Sequence, residues 1–160
     1  MPIDIFRVDD RLIHGQVVVG WTRAKGIDTI LAIDDEVVND SMQKQLMKLA
    51  VPPGVNAFFY DVDTAARKIN AGALRNRKTM VLVKGPKELL RLLNLGVVIS
   101  EVNLGNLRNS ENKIQLLSHV SASKEEIEIW KEISNKGVKL IAQTLPDKQA
   151  VDFGDTLKKY

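Results

Sequence analysis

"PIDIFRVDDRLIHGQVVVGWTRAKGIDTILAID" (residues 2–34) carries a short apolar run, a polar loop, a longer periodic run and a second apolar run. Residues 2–8 read as a strand. Residues 16–26 read as a helix that stops at Gly26, because glycine most easily takes the left-handed conformation that ends helices. Residues 29–34 read as a second strand. Strands this apolar, joined through a helix, belong to a parallel sheet covered on both faces.

The alternation continues outward from this unit. Strands are expected at 55–60, 78–83, 100–105 and 138–146, with helices at 63–72 and 85–96. The latter begins with Pro86 in its first turn and stops at Gly96. Asp40 with Gln43, and Ser123 with Glu126, have the spacing of capping boxes. The first opens a helix whose apolar positions Met42, Leu46, Met47, Leu49 and Ala50 roughly share a face. The second opens a helix ending at Gly137. The run 113–122 is mixed and part of it is a strand, and the tail after Asp147 has weak helical character. The expectation is an α/β protein: a three-layer α/β/α architecture, with a mostly parallel sheet of about seven strands and helices on both faces, residues 1–160 forming one domain.

Composition narrows the function. The chain has 160 residues, 44% hydrophobic and 27% charged, which is a globular composition. With 23 basic and 20 acidic residues interspersed, the net charge of +3 is compatible with a phosphate ligand or an acidic partner. It is too small to argue for nucleic acid, and 5% aromatics supply few stacking platforms. The chain contains no cysteine, which excludes disulfides, thiolate catalysis and cysteine-zinc sites. Asp4, Arg7, Asp9 and Asp10 interrupt any early apolar run, so no signal peptide is read. No stretch approaches the roughly 18 apolar residues of a membrane span. A cytoplasmic protein without direct membrane insertion is expected.

The loop after the first strand concentrates the chemistry. In open α/β sheets, ligands gather beyond the carboxyl ends of the strands, where residues 9–15 lie. His14 stands at the start of the first helix, where free amides and the positive dipole end disfavour an imidazolium and attract an anion. Gly15 lets backbone approach a bound group closely. Arg11 offers a planar, two-pronged hydrogen bond to phosphate oxygens. Arg7 adds charge if it points to the same edge. Asp9 or Asp10 can hold Arg11, or one imidazole nitrogen, in place. A neutral imidazole is a good nucleophile toward phosphorus, so the residues read as a histidine that accepts a phosphoryl group and passes it on. Against this stands a solvated turn or packed helix cap. No P-loop is present: "GPKELLRLL" lacks the second glycine and the Lys-Ser/Thr ending. His14 and His119 lack metal-ligand spacing, and no metal or cofactor is expected. No serine or cysteine adjoins the histidine to build a triad.

"RVDDRLIHGQVVVGW" (7–21) closely resembles the phosphohistidine loop of the IIB components of the mannose/fructose/sorbose-type bacterial sugar phosphotransferase system. The resemblance runs along nearly the whole chain, through "AIDDEVVNDSMQKQLMKLAVPPGV" (32–55), "EVNLGNLRN" (101–109) and "KGVKLIAQTLPD" (136–147). It implies a mostly parallel sheet with an antiparallel component near one edge. It implies that a IIA partner donates from its own phosphohistidine to His14. His14 then phosphorylates, from its Nδ1, a sugar held by membrane IIC and IID components, to which the chain is peripheral. By the same resemblance Arg11 neutralises the phosphate, Asp9 and Asp10 orient it, and Gly15 and Gln16 turn into the helix that cradles it. "LGNL" (104–107) stands where "VGG" is common in the family, so Asn106 adds a side chain near a second edge of the crevice. Substrate choice lies mainly in the membrane components, so nothing around His14 distinguishes mannose, fructose, sorbose or an amino sugar.

Other residues admit two readings each. Asp34 and Asp35 line the same crevice or merely start a turn. Lys84 meets a phosphate or is a solvated loop lysine. His119, away from any arginine or helix start, reads as structural or exposed, and Trp21 as packing or part of a docking patch. Trp130 reads as core packing and "RNRK" (75–78) as a basic turn. Two other functions remain open on the residues alone. One is a receiver-like phosphoaspartate module, using the acidic pairs, Asp61 and Lys84. The other is a binding module that holds a phosphorylated metabolite without covalent chemistry.

Overall fold

In a computed structural model, residues 3–160 are described. Pro2, at the start of the first expected strand, lies outside them. Strand β1 (Ile3–Val8), helix α1 (Gly15–Lys25) and strand β2 (Thr29–Ile33) form the expected unit, and Gly26 ends α1 at φ 64°. Then follow a 3-10 turn (Val37–Asn39), α2 (Ser41–Leu49), β3 (Asn56–Tyr60), α3 (Val62–Asn70), β4 (Thr79–Val83) and α4 (Pro86–Asn94). The chain continues with β5 (Glu101–Leu104), β6 (Ile114–Leu117), β7 (Val120–Ala122), α5 (Lys124–Asn135), β8 (Lys139–Ala142), β9 (Val151–Asp152) and α6 (Phe153–Leu157).

Seven strands make one sheet in the order β3-β2-β4-β1-β5-β8-β9. All neighbours are parallel except β8 and β9. Every residue of β2 and β4 is buried, as expected of strands covered on both faces. On one face α3, α4, α5 and α6 bury a large cluster, in which Trp130 meets Phe153 edge-on at 5.6 Å. On the other, Val18 and Trp21 of α1 pack over Ile5, Ile30, Ala32, Met80 and Leu82. The helices leaving β1 and β4, which are neighbours, therefore go to opposite faces. That parting opens a crevice at the carboxyl ends of the two strands.

Three elements differ from the sequence reading. The run 113–122 is a separate antiparallel hairpin of β6 and β7. The residues of α2 do not share one buried face: Met47 and Ala50 pack against the sheet, whereas Met42, Leu46 and Leu49 are 72%, 61% and 83% exposed. At the start of α2 the Asp40 carboxylate accepts the Gln43 backbone N–H at 3.0 Å. The Gln43 amide returns to that carboxylate instead of to the Asp40 backbone, so the box is incomplete. The box of Ser123 and Glu126 is complete.

Candidate functional site

The loop between β1 and α1 is shaped by where its apolar residues go. Leu12 and Ile13 are buried, at 1% and 3% exposure, and Leu12 has φ 56°. A leucine in the left-handed region is strained, and burial of its side chain holds it there. This turn leaves His14 on the surface, its side chain 21% exposed.

His14 is the N-cap residue of α1, yet its side chain makes no capping bond, and the first turn contains no acid. Helices α2, α3, α5 and α6 are each capped by an Asp or Ser side chain. Helix α4 has no side-chain cap but carries Glu88 in its first turn. The leading amides of α1 alone among the described α-helices face outward with neither compensation, a positive cradle beside an imidazole. Gly15, at φ +31°, leaves that cradle open: a Cβ there would meet nothing within 4 Å.

Asp9 organises the loop. It is fully buried. One carboxylate oxygen accepts the Arg11 backbone N–H at 3.1 Å and lies 3.5 Å from Arg11 Nε. The other lies 3.2 Å from His14 Nε2, 3.4 Å from the Asn106 N–H and 3.8 Å from the Arg7 guanidinium. Burial pushes the Asp9 carboxyl up, but the hydrogen bonds from His14 and the Arg11 N–H, with the charges of His14 and Arg7, bring it below its usual value. An ionised carboxylate only accepts hydrogen bonds. Nε2 therefore carries the proton, and Nδ1 of the neutral ring keeps its lone pair.

Arg7 lies beneath the loop, not on its rim. Its guanidinium donates to the Asn103 side-chain carbonyl and, at 2.9 Å each, to the backbone carbonyls of Gln143 and Thr144. It lies 5.1 Å from the centre of the Trp21 ring, and the indole N–H donates to the Thr144 carbonyl at 3.1 Å. Burial is the main cause lowering its pKa to about 10, so it stays charged at neutral pH. Its charge reaches the surface through Asp9. Arg11, with its side chain 41% exposed, is the guanidinium free to meet an incoming anion.

Asp10 does not orient Arg11. It accepts the Arg108 backbone N–H at 2.8 Å and Arg108 Nε at 3.2 Å, and its own N–H donates to the Asn106 carbonyl. Asp10 thus clips residues 105–108 to the histidine loop, and Asn106 contributes its backbone there. Gly105 has no room for a side chain: a Cβ would sit 2.7 Å from Arg7 Cζ and 2.9 Å from a carboxylate oxygen of Asp9. His119 backs the same segment, its carbonyl accepting the Leu107 N–H at 2.9 Å. Its ring is partly buried, and burial with the Arg7 charge lowers its pKa. Gln16 is exposed and, with Arg23, Leu145 and Pro146, borders a groove beside α1.

The residues after β2 are structural and do not join His14. Asp34 accepts the N–H groups of Glu36 and Val37 at 3.2 and 3.0 Å, and Lys84 pairs with it at 3.6 Å. Asp35 accepts the Val62 N–H at 3.0 Å and pairs with Arg91 at 2.6 Å. Asp61, needed by a receiver-like reading, caps α3 through the Thr64 N–H at 2.7 Å. Among the described residues no three acids or histidines are placed to hold a metal.

The sequence reading missed Asn103, Gly105, Arg108 and the Gln143–Thr144 carbonyls. One signal was present: Asn103 is a polar residue within an otherwise apolar strand, where a buried partner is required.

Comparison with known proteins agrees with this geometry. The family model described as "PTS system sorbose subfamily IIB component" matches residues 3–160. The chain is 33% identical over 159 residues to the mannose-specific EIIAB component of Escherichia coli K12, covering 99% of itself and 49% of that protein. It thus spans about half the length of that relative. It is 31% identical to the fructose-specific EIIB component of Bacillus subtilis, over 99% of itself and 97% of that chain. The IIBSor domain of the Klebsiella pneumoniae sorbose permease superposes with a TM-score of 0.93 at 28% identity, over 99% of this chain and 98% of that one. Family match and shared architecture together place the chain among the sorbose-subfamily IIB components of the sugar phosphotransferase system.

Proposed function

We propose that the chain is the phosphoryl carrier of a sugar phosphotransferase transporter, acting through His14 Nδ1. The observation that carries this reading is the bond from Nε2 to the ionised, buried Asp9. It leaves Nδ1 as the nucleophile, beside uncapped α1 amides and Arg11.

Two transfers follow. The Nδ1 lone pair attacks the phosphorus of a phosphohistidine on a IIA partner. The new N–P bond forms as the donor N–P bond breaks, and the donor imidazole leaves with that electron pair. The phosphorylated ring, still protonated at Nε2, gains positive charge that Asp9 balances. The phosphoryl group carries roughly two negative charges, which the helix amides and Arg11 meet. A sugar hydroxyl then attacks phosphorus, giving its proton to a base in the acceptor's site, and Nδ1 leaves with its lone pair restored. This is a protein-Nπ-phosphohistidine–sugar phosphotransferase, requiring no metal or cofactor of its own. The acceptor is a sugar held by membrane IIC and IID components, and the chain works in the cytoplasm, peripheral to them. The described helices include none long and apolar enough to cross a membrane, consistent with a peripheral role. Support for a IIA donor comes from the name of the E. coli relative, an EIIAB component.

The test is mass mapping after incubation with phosphorylated IIA. One phosphoryl group on His14, labile in acid and stable in alkali, is expected, and His14→Ala should abolish it while keeping the fold. Stoichiometric labelling of the alanine variant would overturn the assignment.

A further inference from the structure

Helices α1 and α2 cover the β1–β4 half of their face of the sheet. Over β5 and β8 the same face is open. There Val102, Leu104, Leu140 and Ala142 point away into the other core, and their alternates Glu101, Asn103 and Ile141 border a cavity of about 390 Å³. Its wall includes Ile5 and Trp21, and charged Asp4 and Lys25 also line it. This volume falls within the range of small-molecule sites.

We infer that this cavity binds an unphosphorylated, monosaccharide-sized polyol bearing an amine, an amino sugar in class, and that its occupant acts on His14 through Arg7. The indole and two isoleucines offer an apolar surface to the C–H face of a sugar ring. Asn103 is 9% exposed and gives its carbonyl to Arg7, leaving its amide group to donate to a hydroxyl. Two carboxylates, Asp4 and Glu101, face one ammonium, Lys25. Carboxylates accept from hydroxyls and attract an ammonium, and this balance repels a phosphate ester. Asp4 accepts the Thr79 N–H through one oxygen at 2.8 Å, so the other remains for a ligand.

The cavity adjoins the carrier site through shared residues. Asn103 and Trp21 both line it, and both hold Arg7. Arg7 lies 3.8 Å from Asp9, which lies 3.2 Å from His14 Nε2. An occupant that engages Asn103 or Trp21 changes the support of the group that orients the imidazole. This coupling rests on the carrier reading of His14; the binding site does not.

The test uses glucosamine as the probe, with the ¹⁵N-labelled full chain. Saturable shifts of the Trp21 indole N–H and the Asn103 side-chain amide are expected, with a Kd in the millimolar range or tighter. Glucosamine 6-phosphate, and glucosamine with Glu101→Gln, should each bind about tenfold more weakly; in free-energy terms that is about 1.4 kcal/mol. Unsaturated shifts at roughly 20 mM, or equal binding by the variant, would overturn the site. A second arm measures His14 phosphorylation by IIA at saturating glucosamine. At least a twofold rate change in the parent, reduced in Glu101→Gln, supports the coupling, and binding without any rate change overturns it. Failure of His14 to be labelled at all sinks the carrier reading, and the shift titration still decides the cavity.

Discussion

Replacing Asp9 with Asn tests the electrostatic core of the site. The substitution keeps shape and removes one acceptor. The remaining oxygen stays with the Arg11 N–H, the shortest of the Asp9 contacts at 3.1 Å. The amide NH₂ then faces His14 Nε2, which must accept, and the ring proton moves to Nδ1. The nucleophilic lone pair is lost from the nitrogen facing the α1 amides. An Asp-to-Asn change that reverses a tautomer in this way costs about 10⁴-fold in a catalytic triad. Phosphorylation of D9N by IIA should fall by about 10³–10⁴-fold. Breaking a buried ion pair costs roughly 3–5 kcal/mol, but Arg7 keeps Asn103 and two carbonyls, so about 2 kcal/mol is expected. For a chain of this size that lowers Tm by about 4–8 °C. The loss is pH-dependent. Folding lowers the Asp9 pKa, so its stabilisation is complete above the ordinary value of 3.8 and fades as pH falls through the lower folded value. The gap between parent and variant should close there. Rapid-quench transfer kinetics, ¹⁵N imidazole shifts and thermal melts at several pH values read the three effects. A variant that transfers at the parental rate while keeping the Nε2–H tautomer would refute the reasoning.

Further outcomes are expected elsewhere in the molecule. Gly105→Ala forces a methyl onto Arg7 and Asp9 and should cost about 1–3 kcal/mol in urea denaturation, with loss of transfer. Leu49→Gln, on the exposed stripe of α2, should leave stability within about 0.5 kcal/mol of the parent in the same assay. Burial, with Asp34 and Asp35 nearby, raises the Glu88 pKa above 4.5. Its charge therefore destabilises the fold above that raised value, and the penalty disappears as pH falls toward 4.5. Glu88→Gln should melt higher than the parent at pH 7 and equal to it at low pH.

What could be read from the sequence follows the range of the interactions. The β1–α1–β2 unit was legible because its strands are covered on both faces and its helix ends at a glycine. The parallel sheet and layers follow from repeating that pattern. Strand order was not legible, because the pairing of β1 with β4 and β5 depends on contacts distant in sequence. The two-residue β9 is too short for any period, and the half-exposed hairpin 114–122 blurs alternation. In α2, periodicity identified apolar positions without identifying which of them the sheet covers. The site divides the same way. His14, Asp9 and Arg11 share one short loop and were found together. Asn103 and the Gln143–Thr144 carbonyls meet Arg7 only because β1, β5 and β8 are adjacent, with Arg7 in register with Asn103. Asp34 and Asp35 follow a strand end, as site residues do, but their carboxylates are occupied by backbone N–H groups, Lys84 and Arg91.

The central claim is that a buried aspartate holds the imidazole proton so that Nδ1 takes the phosphoryl group. Correlated ³¹P–¹⁵N NMR of the chain phosphorylated by IIA measures this directly. The account predicts a single phosphorus coupled to His14 Nδ1, with the proton on Nε2. Phosphorus on Nε2, or on any residue other than His14, would contradict it.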